Sequence, residues 1–99
     1  ASCSPAWYFQ IVDSFARAGL KYGLPKDSAV EIAAQAMAGA AELLLAERAN
    51  GTIPAQLIDR VTSPGGTTIA GLLAAEEGGL STALVGAVDA SIHADSHLG

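Results

Sequence analysis

In Thr62-Ser63-Pro64-Gly65-Gly66-Thr67-Thr68, backbone amides, hydroxyls and flexibility converge without bulky side chains. A set of that kind can hold a small anion. Pro64 ends whatever precedes it, because the residue before proline is pushed out of the helical region. Gly65 and Gly66 let the chain turn with positive φ and let a ligand come close to the backbone. Thr67 and Thr68 open the apolar-periodic run Ile69 to Ala75. The amides of a helix's first turn have no intrahelical partner and carry the positive end of the dipole, so a carboxylate or phosphate fits there. A well-capped helix start without a ligand is the plainer alternative for a bare Pro-Gly-Gly-Thr. The Gly-x-x-x-x-Gly-Lys pattern of a nucleotide P-loop is lacking.

Other chemistry-bearing residues are fewer. Asp89, His93 and His97 stand at i, i+4 and i+8, so one helical face offers a carboxylate and two imidazoles. No cysteine or glutamate completes the set, and at the polar end of the chain a solvated face is the simpler reading; no metal is expected. Glu76 and Glu77 are adjacent and therefore do not face each other on a helix, which makes them poor acid/base partners. They also sit at a helix C-terminus, where the dipole disfavours them; either one is paired, or both are solvated. Cys3 precedes a helix start, a place that lowers a thiol pKa, but no histidine is near in sequence and the thiol reads as a bystander. Trp7-Tyr8-Phe9 could stack on a ring-shaped ligand, although such clusters more often belong to a core or interface.

The elements that must position these residues read as helices throughout. Ser4 caps the first, with Pro5 at its first position, and it runs to about Tyr22 before Gly23 and Pro25. Tyr8, Ile11, Val12, Phe15, Ala18, Gly19 and Tyr22 form its apolar stripe. A second helix spans about Lys26 to Ala49, its start marked either by a Ser28–Glu31 capping box or by Pro25, and its end by Asn50-Gly51. A third covers Pro54 to Val61, with Leu57, Ile58 and Val61 on its inner face. The fourth covers Thr67 to Glu77, with Ile69, Leu72 and Leu73 inward and Gly78-Gly79 closing it. Ser81 caps a fifth carrying Leu84, Val85, Val88 and Ile92. No period-two strand pattern, repeat or second domain is visible.

The sequence of 99 residues fits one domain, 1–99. Hydrophobic residues are 51% and charged residues 15%, too apolar a balance for disorder. Ten acidic against five basic residues give a net charge of −5, which argues against nucleic acid and anionic membranes as partners. The longest uncharged run before Glu42, Ile32 to Ala41, reads as too short and too alanine-rich to span a bilayer. A single cysteine excludes an internal disulfide and fits a reducing compartment. Between Ala29 and Ala46 the polar side chains are Glu31, Gln35 and Glu42, all on one narrow stripe. Such a helix demands burial on most sides. It is roughly 35 Å long, while a domain of this length has a radius of gyration near 13 Å. One short chain cannot wrap it. The fold expected is therefore all-α, about five helices in an intertwined dimeric bundle, with the second helix in the interface of a homodimer.

Several stretches, in order, resemble one family. Ser-Pro-Ala-Trp-Tyr (4–8), Ala-Gly-Leu-Lys-Tyr-Gly-Leu-Pro (18–25), Ala-Ala-Gln-Ala-Met-Ala-Gly-Ala-Ala (33–41), Val-Thr-Ser-Pro-Gly-Gly-Thr-Thr-Ile-Ala-Gly-Leu (61–72) and Glu-Glu-Gly-Gly-Leu (76–80) are similar to the C-terminal dimerisation domain of pyrroline-5-carboxylate reductase. The resemblance implies an interleaved helical homodimer, with higher oligomers open to it. It implies a cytoplasmic oxidoreductase that reduces 1-pyrroline-5-carboxylate to L-proline, the last step of proline biosynthesis, with NADPH or NADH on an N-terminal Rossmann domain. No Gly-x-Gly-x-x-Gly is present here, so these 99 residues are expected to be a piece of that enzyme, inactive alone. It further implies that Ser63, Gly65, Gly66, Thr67 and Thr68 bind the substrate carboxylate, with the Thr68 hydroxyl close to the reacting ring. Two departures stand out: Ser2 and Ser4 replace the glycines of the family's Gly-Ser-Gly-Pro-Ala, and the connection Arg48 to Ile53 is longer than usual. The alternative is a non-catalytic helical module that only forms homodimers.

Overall fold

A computed structural model describes residues 1–98 of the chain, with side chains through Asp95. Among the described residues there are five α-helices, one 3₁₀ turn and no strand. They form two compact units, Ala1–Ile53 and Pro54–Gly99.

The first unit is a helical hairpin of α1 (Ser4–Lys21) and α2 (Lys26–Glu47). Proline lies in the first turn of α1, where its missing N–H removes no bond. Cys3 rather than Ser4 is the cap residue, because Cys3 is already in the helical region. The Ser4 hydroxyl donates back to the Ala1 carbonyl at 3.2 Å and caps no forward amide. At the other end Gly23 takes φ 96°. This left-handed residue lets Leu24 N–H reach the Gly19 carbonyl at 2.9 Å and Gly23 N–H reach that of Leu20 at 3.1 Å, closing the last carbonyls of α1. The chain turns through extended Pro25 directly into α2. Of the two starts the sequence left open, Pro25 is the one that marks α2; the Ser28–Glu31 capping box does not form, since Ser28 already lies inside the helix and no side chain caps its start.

The hairpin closes on small residues. Ala16 and Ala29 are its buried apolar side chains. A methyl group on Gly19 would sit 3.0 Å from Ala29 Cβ and 3.3 Å from Leu24 Cδ1. Lys26, at 3.3 Å from Asp13, ties the start of α2 to α1, and Arg17 on α1 shares that carboxylate at 3.1 Å. The larger residues of the apolar stripe stay in solvent: Phe15 is 64% exposed and Tyr22 83%. The α1 stripe read as one inward face is thus only partly inward.

Helix α2 is covered on little more than one side. Val30, Ile32, Leu43 and Leu45 are exposed, Leu45 by 72%. It ends two residues earlier than expected, at Glu47, and tightens into a 3₁₀ turn, Arg48–Asn50, before Gly51 at φ 75°. The long connection is ordered by its own bonds. Buried Thr52 gives its hydroxyl to Glu47 Oε2 at 3.3 Å and receives Arg48 Nη1 on its carbonyl at 3.3 Å. The reading of the uncharged run as too short to span a bilayer also needs correction. The apolar character resumes after Glu42 with Leu43-Leu44-Leu45, and Lys26–Asn50 is by length and composition apolar enough to cross a membrane, with a mean hydropathy of 1.4 over its most apolar 18 residues.

The second unit holds α3 (Pro54–Arg60), α4 (Thr67–Glu77) and α5 (Leu80–Leu98). Ile69 and Leu72 of α4 are half-buried, but Leu73, expected inward, is 64% exposed. Ile58, Val61, Leu84, Val85, Val88 and Ile92, likewise expected to pack, are also exposed, for want of enough chain to cover them. Between α4 and α5 the chain turns through Gly79 at φ 93°. Ser81 is not the cap of α5, which already begins at Leu80. Glu76 does the capping, its carboxylate accepting the Ser81 hydroxyl at 2.6 and 2.9 Å and the Ser81 N–H at 3.2 Å. A glutamate misplaced at the end of one helix is well placed at the start of the next.

Two outcomes follow from these contacts. Gly19→Val must push α1 and α2 apart, and urea unfolding should show a loss of about 1–3 kcal/mol. The Ser81 bonds hold the Glu76 carboxyl below the ordinary glutamate range. A group lowered in this way adds stability above its unfolded value of ~4.3, and that contribution disappears as pH falls through the lowered folded value. A helicity titration into acid should show this component in the wild type, and Glu76→Gln should lack it.

Candidate functional site

The glycine loop is built from the end of α3 upward. Val61 N–H bonds the Ile58 carbonyl at 3.1 Å and Thr62 N–H that of Asp59 at 3.4 Å. The Thr62 hydroxyl donates to the Ile58 carbonyl. Thr62 therefore uses both its hydroxyl and its N–H to close the end of α3. The next four residues form a closed turn, with Gly66 N–H on the Ser63 carbonyl at 3.1 Å. Pro64 occupies its second position and Gly65, at φ 70°, its third, the pattern of a type II turn.

The turn delivers the chain to Gly66, extended at φ −81° and ψ 174°, which is the cap residue of α4. No side chain caps this helix and no acid lies in its first turn. The amides that follow, at Thr67 and Thr68, carry the helix's partial positive charge outward. Ser63 leans over the same spot: a methyl group on Gly66 would come within 2.5 Å of Ser63 Oγ and 3.3 Å of the Ser63 carbonyl. Ser63, Thr67 and Thr68 are exposed. The structure thus brings together the residues singled out in the sequence. The Ser63 hydroxyl lies beside Gly66 at a helix start that no side chain caps, and exposed Thr67 and Thr68 follow directly. This arrangement can hold a carboxylate by charge-assisted hydrogen bonds.

The other candidates are placed differently. Tyr8 and Phe9 line an apolar groove of about 520 Å³ with Val12, Val30 and Met37, while Trp7 is half-buried outside it. A second groove of about 490 Å³, on Phe15, Leu24, Ile32 and Met37, also borders the α1–α2 junction. Cys3 is a free, exposed thiol. Among the described residues no group of three or more histidines, cysteines or acids is placed to hold a metal. The side chain of His97 lies outside the described residues. Of the glutamate pair, Glu76 is the partnered one. The only sequence signal for its bond was a glutamate five residues before a serine across Gly-Gly.

The sequence pattern of the pyrroline-5-carboxylate reductase dimerisation family matches residues 1–98. The chain belongs to that family. Among its relatives, the pyrroline-5-carboxylate reductase of Treponema pallidum is 46% identical over 92 residues, which is 93% of this chain and 34% of the relative. Human pyrroline-5-carboxylate reductase 2 is 45% identical over 87 residues, 88% of this chain and 26% of the relative. The crystal structure of the Streptococcus pyogenes 1-pyrroline-5-carboxylate reductase superposes with a TM-score of 0.82 at 38% identity, over 91% of this chain and 34% of that one. The Plasmodium falciparum pyrroline carboxylate reductase with NADP bound gives 0.81 at 29% identity, over 90% and 33%. The chain thus spans about a quarter to a third of the length of the relatives it matches, and the all-helical fold is that of the family's dimerisation domain.

The loop of this dimerisation domain depends on one left-handed residue. Gly65→Ala should cost about 1–2 kcal/mol in urea unfolding, because a β-carbon is strained at φ 70°. Gly65→Asn should cost less, since asparagine tolerates this region.

Proposed function

We propose that the chain is the dimerisation and substrate-binding domain, residues 1–99, of a cytoplasmic pyrroline-5-carboxylate reductase. Two copies pair through the exposed apolar faces of α1 and α2, and the glycine loop binds the carboxylate of 1-pyrroline-5-carboxylate. The observation that carries the substrate site is the uncapped start of α4 beside the Ser63 hydroxyl. Family membership supports reading the anion as the substrate's carboxylate.

In this reading the amides at Thr67 and Thr68 and the Ser63 hydroxyl grip the carboxylate. Gly65 shapes the turn, and Gly66 leaves room for the substrate. The Thr68 hydroxyl reaches toward the ring. The domain's share of catalysis is orientation and charge stabilisation: a ring held by its carboxylate presents its C=N carbon in one geometry. NADPH or NADH supplies the hydride. The described residues contain no strand and no Gly-x-Gly-x-x-Gly, so they do not fit that dinucleotide, and the reading places it on a separate Rossmann domain of the intact protein. The isolated 99 residues accordingly bind without turning over.

The test is Thr68→Ala in the intact protein. Losing a hydrogen bond to a charged substrate is worth about 1.5–3 kcal/mol, so kcat/KM for 1-pyrroline-5-carboxylate should fall about 10- to 100-fold. Light scattering should show an unchanged dimer mass. Unaltered kinetics would remove Thr68 from the site. Failure of the wild-type intact protein to reduce 1-pyrroline-5-carboxylate would remove the function.

A further inference from the structure

Helix α4 carries the proposed site at its N-terminus, yet its own surroundings do little to aim it. Gly65-Gly66 precede it and Gly78-Gly79 follow it, with Gly65 at φ 70° and Gly79 at φ 93°. Glycine torsions are soft on both sides. The helix has 11 residues, none of them buried, too short and too lightly packed to be held by its own propensity. A contact that crosses the second glycine pair is the Glu76 carboxylate on Ser81. It makes two bonds to the hydroxyl, at 2.6 and 2.9 Å, and one to the N–H, at 3.2 Å. That clasp ties the last turn of α4 to the first turn of α5.

The geometry points to Glu76 as a positioning residue for the glycine loop: its clasp on Ser81 sets the direction of α4 and thereby the place of the amides and hydroxyls at Thr67 and Thr68. The lever is long. Eleven residues at 1.5 Å make roughly 16 Å, so a swing of about 10° at the clasped end moves the far end by roughly 3 Å. That is the length of a hydrogen bond, and a misplacement of about 1 Å can already cost on the order of 100-fold in rate. Glu77, one residue on, carries the same charge at the same helix end, is exposed as Glu76 is, and serves as the natural control. The inference rests on reading the loop as the carboxylate site.

The experiment uses the intact protein, with steady-state kinetics in 1-pyrroline-5-carboxylate and in NADPH. Glu76→Ala should raise KM for 1-pyrroline-5-carboxylate about tenfold with a smaller change in kcat, and leave KM for NADPH and the dimer mass unmoved. Glu76→Gln, whose amide oxygen still accepts the Ser81 N–H, should restore most of the loss. Glu77→Ala should behave as wild type. An unchanged KM in Glu76→Ala overturns the inference. Should that variant not fold, Ser81→Ala decides by the same criterion, with about a threefold rise expected. If the wild type does not reduce 1-pyrroline-5-carboxylate, the substrate reading falls and the clasp is judged by hydrogen exchange. Faster exchange at the hydrogen-bonded amides of α4, from Gly71 to Glu77, in Glu76→Ala than in Glu77→Ala then supports it, and equal rates overturn it.

Discussion

Helix α2 needs a cover that the first unit does not contain. Its residues Val30, Ile32, Leu43 and Leu45 stand in solvent, while the hairpin with α1 buries only Ala16 and Ala29 as apolar side chains. Burying one fully exposed large aliphatic side chain is worth about 1.5–3 kcal/mol; these four are already partly covered, so roughly 3–6 kcal/mol is still to be gained. That is a large share of the net stability of a small domain, about 5–15 kcal/mol. Folding and association of such a unit are then one process, and its measured stability depends on protein concentration. The small residues of the hairpin fit this arrangement. Ala16, Gly19 and Ala29 let α1 lie close against one edge of α2, which leaves the bulky residues of both helices pointing outward for a partner to bury.

The second unit faces a different constraint, which is to present backbone amides without letting them collapse on its own side chains. An ordinary helix start would place serine, threonine or aspartate at the cap and close the amides. Here Gly66 holds that position, and the serine stands three residues back, at Ser63, across a closed turn. The hydroxyl stays near the amides without capping them. No acid lies in the first turn of α4. Within a chain of net charge −5, this leaves a local positive end for an anion.

Much of this was legible in the residues. Helix α4 runs from Thr67 to Glu77 as its glycine borders indicated, and Gly23 and Gly51 stop their helices with the positive φ that only glycine adopts freely. The glycine loop was found from its residue types alone. What was misread turned on three-dimensional neighbours. Ser4, Ser28 and Ser81 all looked like caps, since serine's preference for helix starts does not say whether the backbone there is already helical. Tyr8, Phe15 and Tyr22 have the right period for a buried stripe, but a period of 3.6 is the same whether the cover comes from this chain or from another. The Glu76 clasp joins residues five apart across a left-handed glycine, and no helical or strand spacing announces such a pair.

The same blindness explains why α2 satisfies two incompatible descriptions. By length and hydropathy it could cross a membrane, and by pattern it is an interface helix. Side-chain energetics separate the two. On an insertion scale Val30, Ile32, Leu43, Leu44 and Leu45 contribute about −0.3 to −0.6 kcal/mol each, roughly −1.5 to −3 in all, while one carboxylate near the centre costs about 2.5–3.5 kcal/mol. Glu42 lies four residues from the middle of Lys26–Asn50 and offsets much of that gain, and Glu31 adds to the cost. The alanines that fill the rest bring little hydrophobic gain in lipid, but they let another helix approach closely. Against a protein partner the stripe of Glu31, Gln35 and Glu42 can remain at the wet edge while the other faces are buried. The balance therefore favours a helix built to meet protein.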